Sequence, residues 1–440
     1  MNITPRSAAV LSLNSCIKDG KFVNLELDAA IKKYGFEDRD KAFFTRLLYG
    51  TAEKKLTLDY IVKGLSKTDF AKIKPVVLCI IETGLYQIFY MDRVPDSAAC
   101  NESTELVKQL CPNDYAGFVN GILRSAVRNK QKIIEHIEKL KGISGLSIRY
   151  SVPEWIVSMW QNDYACAEQI LEALCSEIPH ITLRVNTLKT TAQELCSHFD
   201  RELHAAVLSD NSISISGSAS VAELYGYREG LFFVQDTASI LASSMINRDA
   251  LGNGHITVVD TCSCPGGKAF SAAINLGDNC DIYAFDLHKN RLKLVDGGAQ
   301  RLGLVNIHTK AADARTPDQT LFGKADAVIC DVPCSGLGVI AKKPDIRYKS
   351  FEEVEKLSQI QLDILSNSAN YVKKGGFIVY STCTLRKAEN DDVVDSFLKK
   401  HTDFELCPTG IFGDNTGKLT FLPHETHTDG FFAAKLARKA

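Results

Sequence analysis

No apolar run in this chain approaches the ~18 residues that a membrane-crossing helix needs. Its first residues, Met-Asn-Ile-Thr-Pro-Arg, lack the apolar core of a secretory signal, so a cytoplasmic protein is expected. Neither the glycine spacing of the phosphate-binding loop nor that of the dinucleotide fingerprint is present. No Lys-Ser or Lys-Thr pair follows a glycine turn, and no arginine cluster stands ready for a pyrophosphate. The pair in His424-Glu-Thr-His427 does not have the spacing of the zinc motif and has no evident third ligand, so no metal is expected. These absences turn the reading away from membrane proteins, ATPases, dehydrogenases and zinc enzymes.

What is present is an ordinary globular composition, 45% hydrophobic and 24% charged over 440 residues, long enough for two or three domains. The net charge of −2 hides an asymmetry: residues 1–141 carry an excess of about five positive charges and the remainder about seven negative ones. Fourteen cysteines are scattered, mostly within apolar segments such as those around Cys79, Cys196 and Cys280. In a reducing compartment they read as small buried hydrophobes. Cys262, Cys264, Cys334 and Cys383 sit in contexts that resist this reading.

Residues 1 to about 140 predict helix after helix. Ser7 to Ile17 and Asp40 to Tyr49, the latter ending before Gly50, place apolar residues at helical spacing. Lys74 to Met91, Ala98 to Leu110 and a segment from Tyr115 complete an all-α bundle. Asn120-Gly121 inside a helical pattern suggests close helix packing. A charged connecting helix over 125–145 is broken by Gly142-Ile-Ser-Gly-Leu, which places a domain boundary near 142. One or two helices over Ile156–Leu174, a strand at Ile181–Asn186 and short strands from Val207 to Val221 then suggest a small α+β module.

The catalytic-looking part opens with Val258-Val-Asp-Thr-Cys-Ser-Cys-Pro-Gly-Gly-Lys268 and the helical segment Ala269–Leu276. Strand, glycine turn and helix in that order begin a doubly wound, Rossmann-like α/β domain. Four further strands are expected, at Ile282–Asp286, Ile307–Asp313, Ala325–Cys334 and Gly376–Cys383. The singled-out residues fall at their carboxyl ends, where such sheets bind ligands. Asp286, about twenty residues beyond the glycine turn, suits a ribose, and Asp313 an adenine edge. An adenosine without phosphates is expected. S-adenosylmethionine fits, because its sulfonium and amino groups favour a site rimmed by Asp260, Asp286 and Asp313. Cys334 and Cys383 end neighbouring strands and would face one pocket. A thiolate adding to carbon 6 of a cytosine makes carbon 5 nucleophilic toward a methyl donor. A second cysteine and an acid, Asp331, would serve the release of the product. Lys268 or a helix N-terminus is expected to lower the thiol pKa.

Several of these stretches match known families. Asp40-Lys-Ala-Phe-Phe, Tyr49-Gly50, Glu82-Thr-Gly-Leu-Tyr86, Val94-Pro95 and Phe118-Val-Asn-Gly-Ile-Leu-Arg124 resemble the NusB-like helical domain, which implies an RNA-binding module. Further motifs are Arg184-Val-Asn186, Gln235-Asp-Thr-Ala-Ser239, Asp260 to Lys268, Asp286-Leu-His-Lys-Asn-Arg-Leu292 and Asp331-Val-Pro-Cys-Ser-Gly336. Pro344-Asp-Ile-Arg347, Tyr380-Ser-Thr-Cys-Thr384 and Glu389-Asn390 complete them. Together the motifs resemble the bacterial small-subunit ribosomal RNA cytosine carbon-5 methyltransferases of the RsmB (Sun) type, within the NOL/NOP2/Sun group.

The resemblance spans essentially the whole chain. It implies 1–141 as a NusB-like RNA-binding domain, 142–229 as a small RNA-recognition module and 230–440 as the methyltransferase domain. It makes Cys383 the nucleophile and Cys334 the residue assisting release. S-adenosylmethionine would be held by Cys262, Ser263, Cys264, Pro265, Gly266, Gly267 and Lys268 with Asp286, Arg291, Asp313 and Asp331. A monomer is expected, with 16S ribosomal RNA as its partner and no membrane. DNA cytosine methyltransferases would instead take the nucleophile from the proline–cysteine motif, at Cys334. Two departures stand out: Cys264 and Gly336 each replace a common alanine. Transfer RNA as substrate, and a non-catalytic NusB-like antitermination factor, are the alternatives.

Overall fold

The computed structural model describes residues 3–111, 115–176, 180–200, 203–216 and 220–440. They form two compact units, Met1–Ser176 with Lys342–Tyr348, and Glu177–Ala341 with Lys349–Ala440.

The first unit is helical. Its elements are α1 (Pro5–Asp19), α2 (Val23–Tyr34), α3 (Asp38–Glu53), α4 (Lys55–Leu65), α5 (Pro75–Tyr90), α6 (Asp96–Leu110), α7 (Ala116–Arg128), α8 (Lys130–Glu138), α9 (Gly142–Tyr150), α10 (Glu154–Asp163) and α11 (Ala167–Ser176). Helix α5, mostly apolar, lies at the centre: Val77 to Ile88 are buried without interruption, the polar Glu82, Thr83 and Gln87 included. Three glycines behave differently from expectation. Gly50 does not stop α3, which runs on to Glu53. It serves instead as a notch, since a Cβ there would fall 2.0 Å from the Tyr86 ring. Gly121 does not mediate helix packing, for it is exposed with open space around it, and Gly84 on α5 lies against Ser103 and Leu123. Gly142 does not end the helical region. It is the first residue of α9, whose Ile148 carbonyl accepts from Thr57 Oγ1 at 2.6 Å, and Ser151 Oγ beyond it accepts from Leu56 N–H at 3.0 Å. Helices α9 to α11 therefore belong to the N-terminal unit.

The second unit contains two sheets. The smaller one, ordered β2-β3-β1-β4, is antiparallel and built from β1 (Ile181–Val185), β2 (Ala206–Ser209), β3 (Ser212–Ile215) and β4 (Phe232–Val234), with α12 (Ala192–Ser197) beside it. Residues 217–219, within the expected run of short strands, lie outside the described residues. Strand β4 pairs with β1, so a boundary at 229/230 would cut this sheet; the pairing register, not local composition, assigns the segment.

The chain continues through α13 (Thr237–Ser244) and α14 (Arg248–Leu251) into the larger sheet. Its strands and helices alternate: β5 (Ile256–Asp260), α15 (Gly267–Leu276), β6 (Cys280–Asp286), α16 (Lys289–Leu302), β7 (Ile307–Ala311), β8 (Ala325–Asp331), α17 (Phe351–Glu355), α18 (Leu357–Ser368), β9 (Val372–Thr382) and α19 (Asp391–Lys400). β10 (Phe404–Leu406), β11 (Lys418–Phe421), α20 (Pro423–Thr426) and β12 (Phe431–Arg438) complete it. The strand order is β10-β12-β9-β8-β5-β6-β7, with β11 on β12. Strands β5 to β9 are parallel, and β12 runs against them. Helices α13, α15 and α16 cover one face through Ala238, Phe270 and Val295, and α18 and α19 cover the other through Leu365 and Phe397. Burial on both faces explains the apolar run Ala327–Cys330 in β8. The strand order reverses between β5 and β8, which leaves a crevice where doubly wound sheets bind ligands.

Among the described residues, no helix is long and apolar enough to cross a membrane.

Candidate active site

Strand β5 delivers Asp260, 1% exposed, to the crevice. Its Oδ1 accepts the Cys262 N–H at 3.3 Å, while Oδ2 is buried without a hydrogen-bond partner among the described residues. Burial, and secondarily the charge of Asp331, push this carboxyl up to about 7. The turn that follows is tied to the neighbouring strands, Thr261 N–H to the Ile329 carbonyl (3.0 Å) and Ser263 N–H to the Phe285 carbonyl (2.7 Å). Cys264–Pro265 is a cis peptide bond, and Gly266 sits at φ +111° as the N-cap of α15. A Cβ on Gly266 would also fall 2.3 Å from the Phe270 ring, so both backbone angle and space select glycine. Ser263 Oγ is a second buried polar atom without a hydrogen bond of full geometry.

Asp286 ends β6, 5% exposed, and accepts the His288 N–H at 2.9 Å. Arg291 lies 3.6 Å from its other oxygen and donates to the Cys264 carbonyl at 3.4 Å, bridging the turn and the strand end. Asp313 stands two residues beyond β7, adjacent to Ala312, whose N–H donates to the Asp286 carbonyl at 3.0 Å. Its carboxylate is engaged by Arg315, at 2.7 Å to Oδ2 and 3.0 Å to Oδ1, which lowers its pKa. Thus Asp260, Ser263 and Asp286 keep hydrogen-bonding capacity at adjacent strand ends, whereas Asp313 has spent its side chain on a neighbour. Cys262 and Cys264 have thiols raised chiefly by burial, so the departure at Cys264 adds no thiolate.

The last residue of β8, Asp331, is held on both oxygens: Ser381 Oγ donates at 2.6 Å and Lys268 Nζ lies at 2.7 Å. Lys268 also sits over the Phe431 ring at 5.1 Å. Beyond β8 and β9, the turns bring Cys334 and Cys383 together with their sulfurs 3.2 Å apart and no disulfide between them. The Cys334 thiol, expected to assist release, is raised well above the ordinary value, first by its hydrogen bond with Cys383, then by burial. Lys268, expected to lower the pKa of the nucleophile, is paired with Asp331.

Two residues noted only as a motif turn out to bind these turns: Glu389 and Asn390, both fully buried. Their place among the family-like motifs was the signal in the sequence. Gly336, the other departure, has φ +76°, a conformation that disfavours alanine. Arg184, Asn186 and Gln235 are joints rather than site residues. Arg184 donates to Asn275 Oδ1 (2.8 Å), Asn186 to the Gly230 and Leu302 carbonyls (both 3.0 Å), and Gln235 accepts from Ser271 (2.7 Å). Arg347 is buried within the N-terminal unit, donating to the Glu53 and Ser151 carbonyls at 3.2 and 3.0 Å. A separate cleft of about 530 Å³, lined by residues such as Tyr283, Phe285, His308 and Lys310, includes none of the site residues.

Three family models match the chain, the middle one running across the boundary between the two compact units. Residues 251–437 match the family of 16S rRNA methyltransferase RsmB/F, residues 3–128 the NusB family, and residues 152–221 the RsmF/B-like ferredoxin-like domain. The chain is 34% identical to the probable ribosomal RNA small subunit methyltransferase B of Bacillus subtilis, over 99% of this chain and 98% of that protein. It is 33% identical to the Synechocystis protein of the same name, over 99% and 100%. The crystal structure of PH0851 shares the fold over 99% of both chains with a TM-score of 0.78 at 24% identity. NSun6 from Pyrococcus horikoshii with SFG aligns over 66% of this chain and 99% of its own, with a TM-score of 0.58 at 22% identity.

Proposed function

The chain belongs to the RsmB/F family of 16S rRNA methyltransferases, and from that premise we propose that it methylates carbon 5 of a cytosine in 16S ribosomal RNA through a covalent Cys383–cytosine adduct. The observation that carries the reading is the 3.2 Å contact between Cys334 and Cys383 at the ends of adjacent parallel strands, beside Asp331. The methyl donor in this reading is S-adenosylmethionine, which supplies an electrophilic methyl group on a sulfonium. Asp260, Ser263, the Gly266–Gly267 turn and Asp286 would hold it. Their fit rests on two buried oxygens with no hydrogen bond of full geometry, Asp260 Oδ2 and Ser263 Oγ, the hydroxyl lying near enough to lower the carboxyl's pKa, which leaves capacity of the kind a polar ligand satisfies.

Two thiols in contact do not both ionise readily. Burial and the contact itself raise the Cys334 thiol, so in this reading Cys334 stands as a protonated neighbour against the Cys383 sulfur. The Cys383 sulfur bonds to carbon 6 of the ring, and the electron pair released at carbon 5 takes the methyl group. Loss of the carbon-5 proton to a base then re-forms the double bond and expels the Cys383 thiolate. Cys334 lies beside this departing sulfur and assists the step. Asp331, fixed by Lys268 and Ser381, presents an acceptor for the exocyclic amine of the base. In the same reading the N-terminal helices position the RNA, the small antiparallel sheet contributes to its recognition and the larger sheet carries out transfer.

The test is to expose Cys334→Ala and Cys383→Ala to 16S ribosomal RNA and methyl donor and run each on denaturing gels. A covalent protein–RNA band in Cys334→Ala alone is expected. A band in Cys383→Ala alone would swap the two roles, and no band in either with methylation intact would remove the two-cysteine mechanism.

A further inference from the structure

Cys334 and Cys383 lie on separate turns, 49 residues apart in the chain, which β8–β9 pairing up to Asp331–Ser381 and a Gly338 N–H bond to the Cys383 carbonyl (3.0 Å) bring side by side. One buried pair touches both. Glu389 Oε2 accepts the backbone N–H of Ser335, the residue after Cys334, at 2.8 Å, and also Gln361 Nε2 at 2.8 Å. Gln361 in turn donates to the carbonyl of Pro333, the residue before Cys334, at 3.0 Å. The Cys334 turn is thereby gripped on both sides.

The adjacent Asn390 holds the other turn. Its Oδ1 accepts from Thr382 Oγ1 at 2.6 Å and its Nδ2 donates to the Thr384 carbonyl at 3.0 Å, bracketing Cys383 in the same way. Ser335 Oγ and Thr384 Oγ1 then join the two turns directly at 2.8 Å. Tyr380 Oη anchors the clamp to β9 through the Glu389 carbonyl at 2.6 Å. Glu389 is 0% exposed, and its Oε1 has no hydrogen bond, with Arg386 Nη1 the nearest ion-pair partner at 3.9 Å. A carboxylate buried in this condition is costly for stability alone. That cost points to a role beyond packing.

We propose that Glu389 and Asn390 act as one positioning clamp that sets the separation of Cys334 and Cys383 for reaction, an inference that rests on the two-cysteine reading above. Neither residue touches the base. Each fixes the backbone on the two sides of one cysteine, so loss of either side lets one sulfur drift relative to the other.

The experiment uses the full-length protein with Asn390→Ala, Glu389→Ala and the near-isosteric Glu389→Gln, whose amide oxygen still accepts from Ser335 and Gln361. Two readouts are taken on each folded variant. One is kcat and KM for methyl transfer to 16S ribosomal RNA. The other is the rate at which diamide links the two thiols, two S–H hydrogens passing to its N=N bond as the S–S bond forms, followed by mass spectrometry of the 334–383 peptide pair. A drift of about 1 Å is expected to lower kcat about 100-fold in both alanine variants while KM stays within about 3-fold. The 334–383 linking rate should fall with it, and Glu389→Gln should retain both. Asn390→Ala supplies the test if Glu389→Ala does not fold. An unchanged linking rate, or an unchanged kcat, in a folded alanine variant overturns the clamp. Wild-type protein that links the two thiols but transfers no methyl group would instead sink the functional reading, and the clamp would then stand or fall on linking alone.

Discussion

Asp260 illustrates how a single residue trades stability for a site. Its carboxyl, raised from 3.8 to about 7, keeps its proton in the native state under conditions where the unfolded chain releases it. Below about pH 4 both states hold the proton and the group does not oppose folding. As pH rises from about 4 to about 7 the unfolded state alone ionises, and the penalty grows by ~1.4 kcal/mol per unit toward a plateau of about 4 kcal/mol. Asp260→Asn removes the ionisation but keeps an acceptor for the Cys262 N–H. The melting temperature of ligand-free Asp260→Asn should therefore gain on wild type between pH 5 and pH 8, while affinity for S-adenosylmethionine falls. A difference in melting temperature that does not change with pH would refute the assignment. At this scale the sequence was informative about residue type and poor about spending. It marked Asp286 and Asp313 alike as strand-end acids, yet Arg315 occupies the second, because a two-residue ion pair depends on how the loop after β7 bends.

At the scale of elements, the strand–turn–helix from β5 to α15 was the most legible feature, since a β-branched run, two glycines and a helical segment leave few alternatives. Its performance depends on Gly266. Alanine there must adopt φ near +111° and displace the Phe270 ring, at about 1–3 kcal/mol for the backbone alone. Gly266→Ala is expected to lower the melting temperature and weaken S-adenosylmethionine binding by calorimetry. Unchanged binding would show that the turn does not hold the ligand. Glycines inside helices were less legible. The local pattern marks Gly50 as a stop, Gly121 as a packing site and Gly142 as a break, yet one accepts Tyr86, one faces solvent and one begins a helix. What separates them is the neighbour across the helix face, which sequence spacing does not specify.

At the scale of the molecule, Lys342–Tyr348 is the segment that linear order least anticipates. It lies between β8 and β9 in the chain but packs within the N-terminal helical unit. Arg347 is 0% exposed there and donates to two backbone carbonyls. Arg347→Ala leaves those acceptors short of a charged donor and should cost that unit about 2–4 kcal/mol. Both tryptophans, Trp155 and Trp160, lie on α10 of the same unit, so intrinsic fluorescence reports its unfolding. A urea midpoint that does not shift by this probe would deny Arg347 its structural role.

Periodicity and turn chemistry alone determined the helical first part, the mixed middle, the Rossmann-like last part and the strand ends on which the site residues fall. These are legible because 3.6-residue and two-residue patterns, glycine turns and strand-end acids are local properties of the chain. Only the tertiary structure decided that β4 belongs to the small sheet, that α9 to α11 join the N-terminal helices, and that two sulfurs 49 residues apart meet at 3.2 Å. Only it showed Glu389 and Asn390 bracketing those sulfurs. Strand pairing, helix-face contacts and buried hydrogen bonds join residues distant in the chain, and a single sequence carries no direct record of which distant partner each one meets.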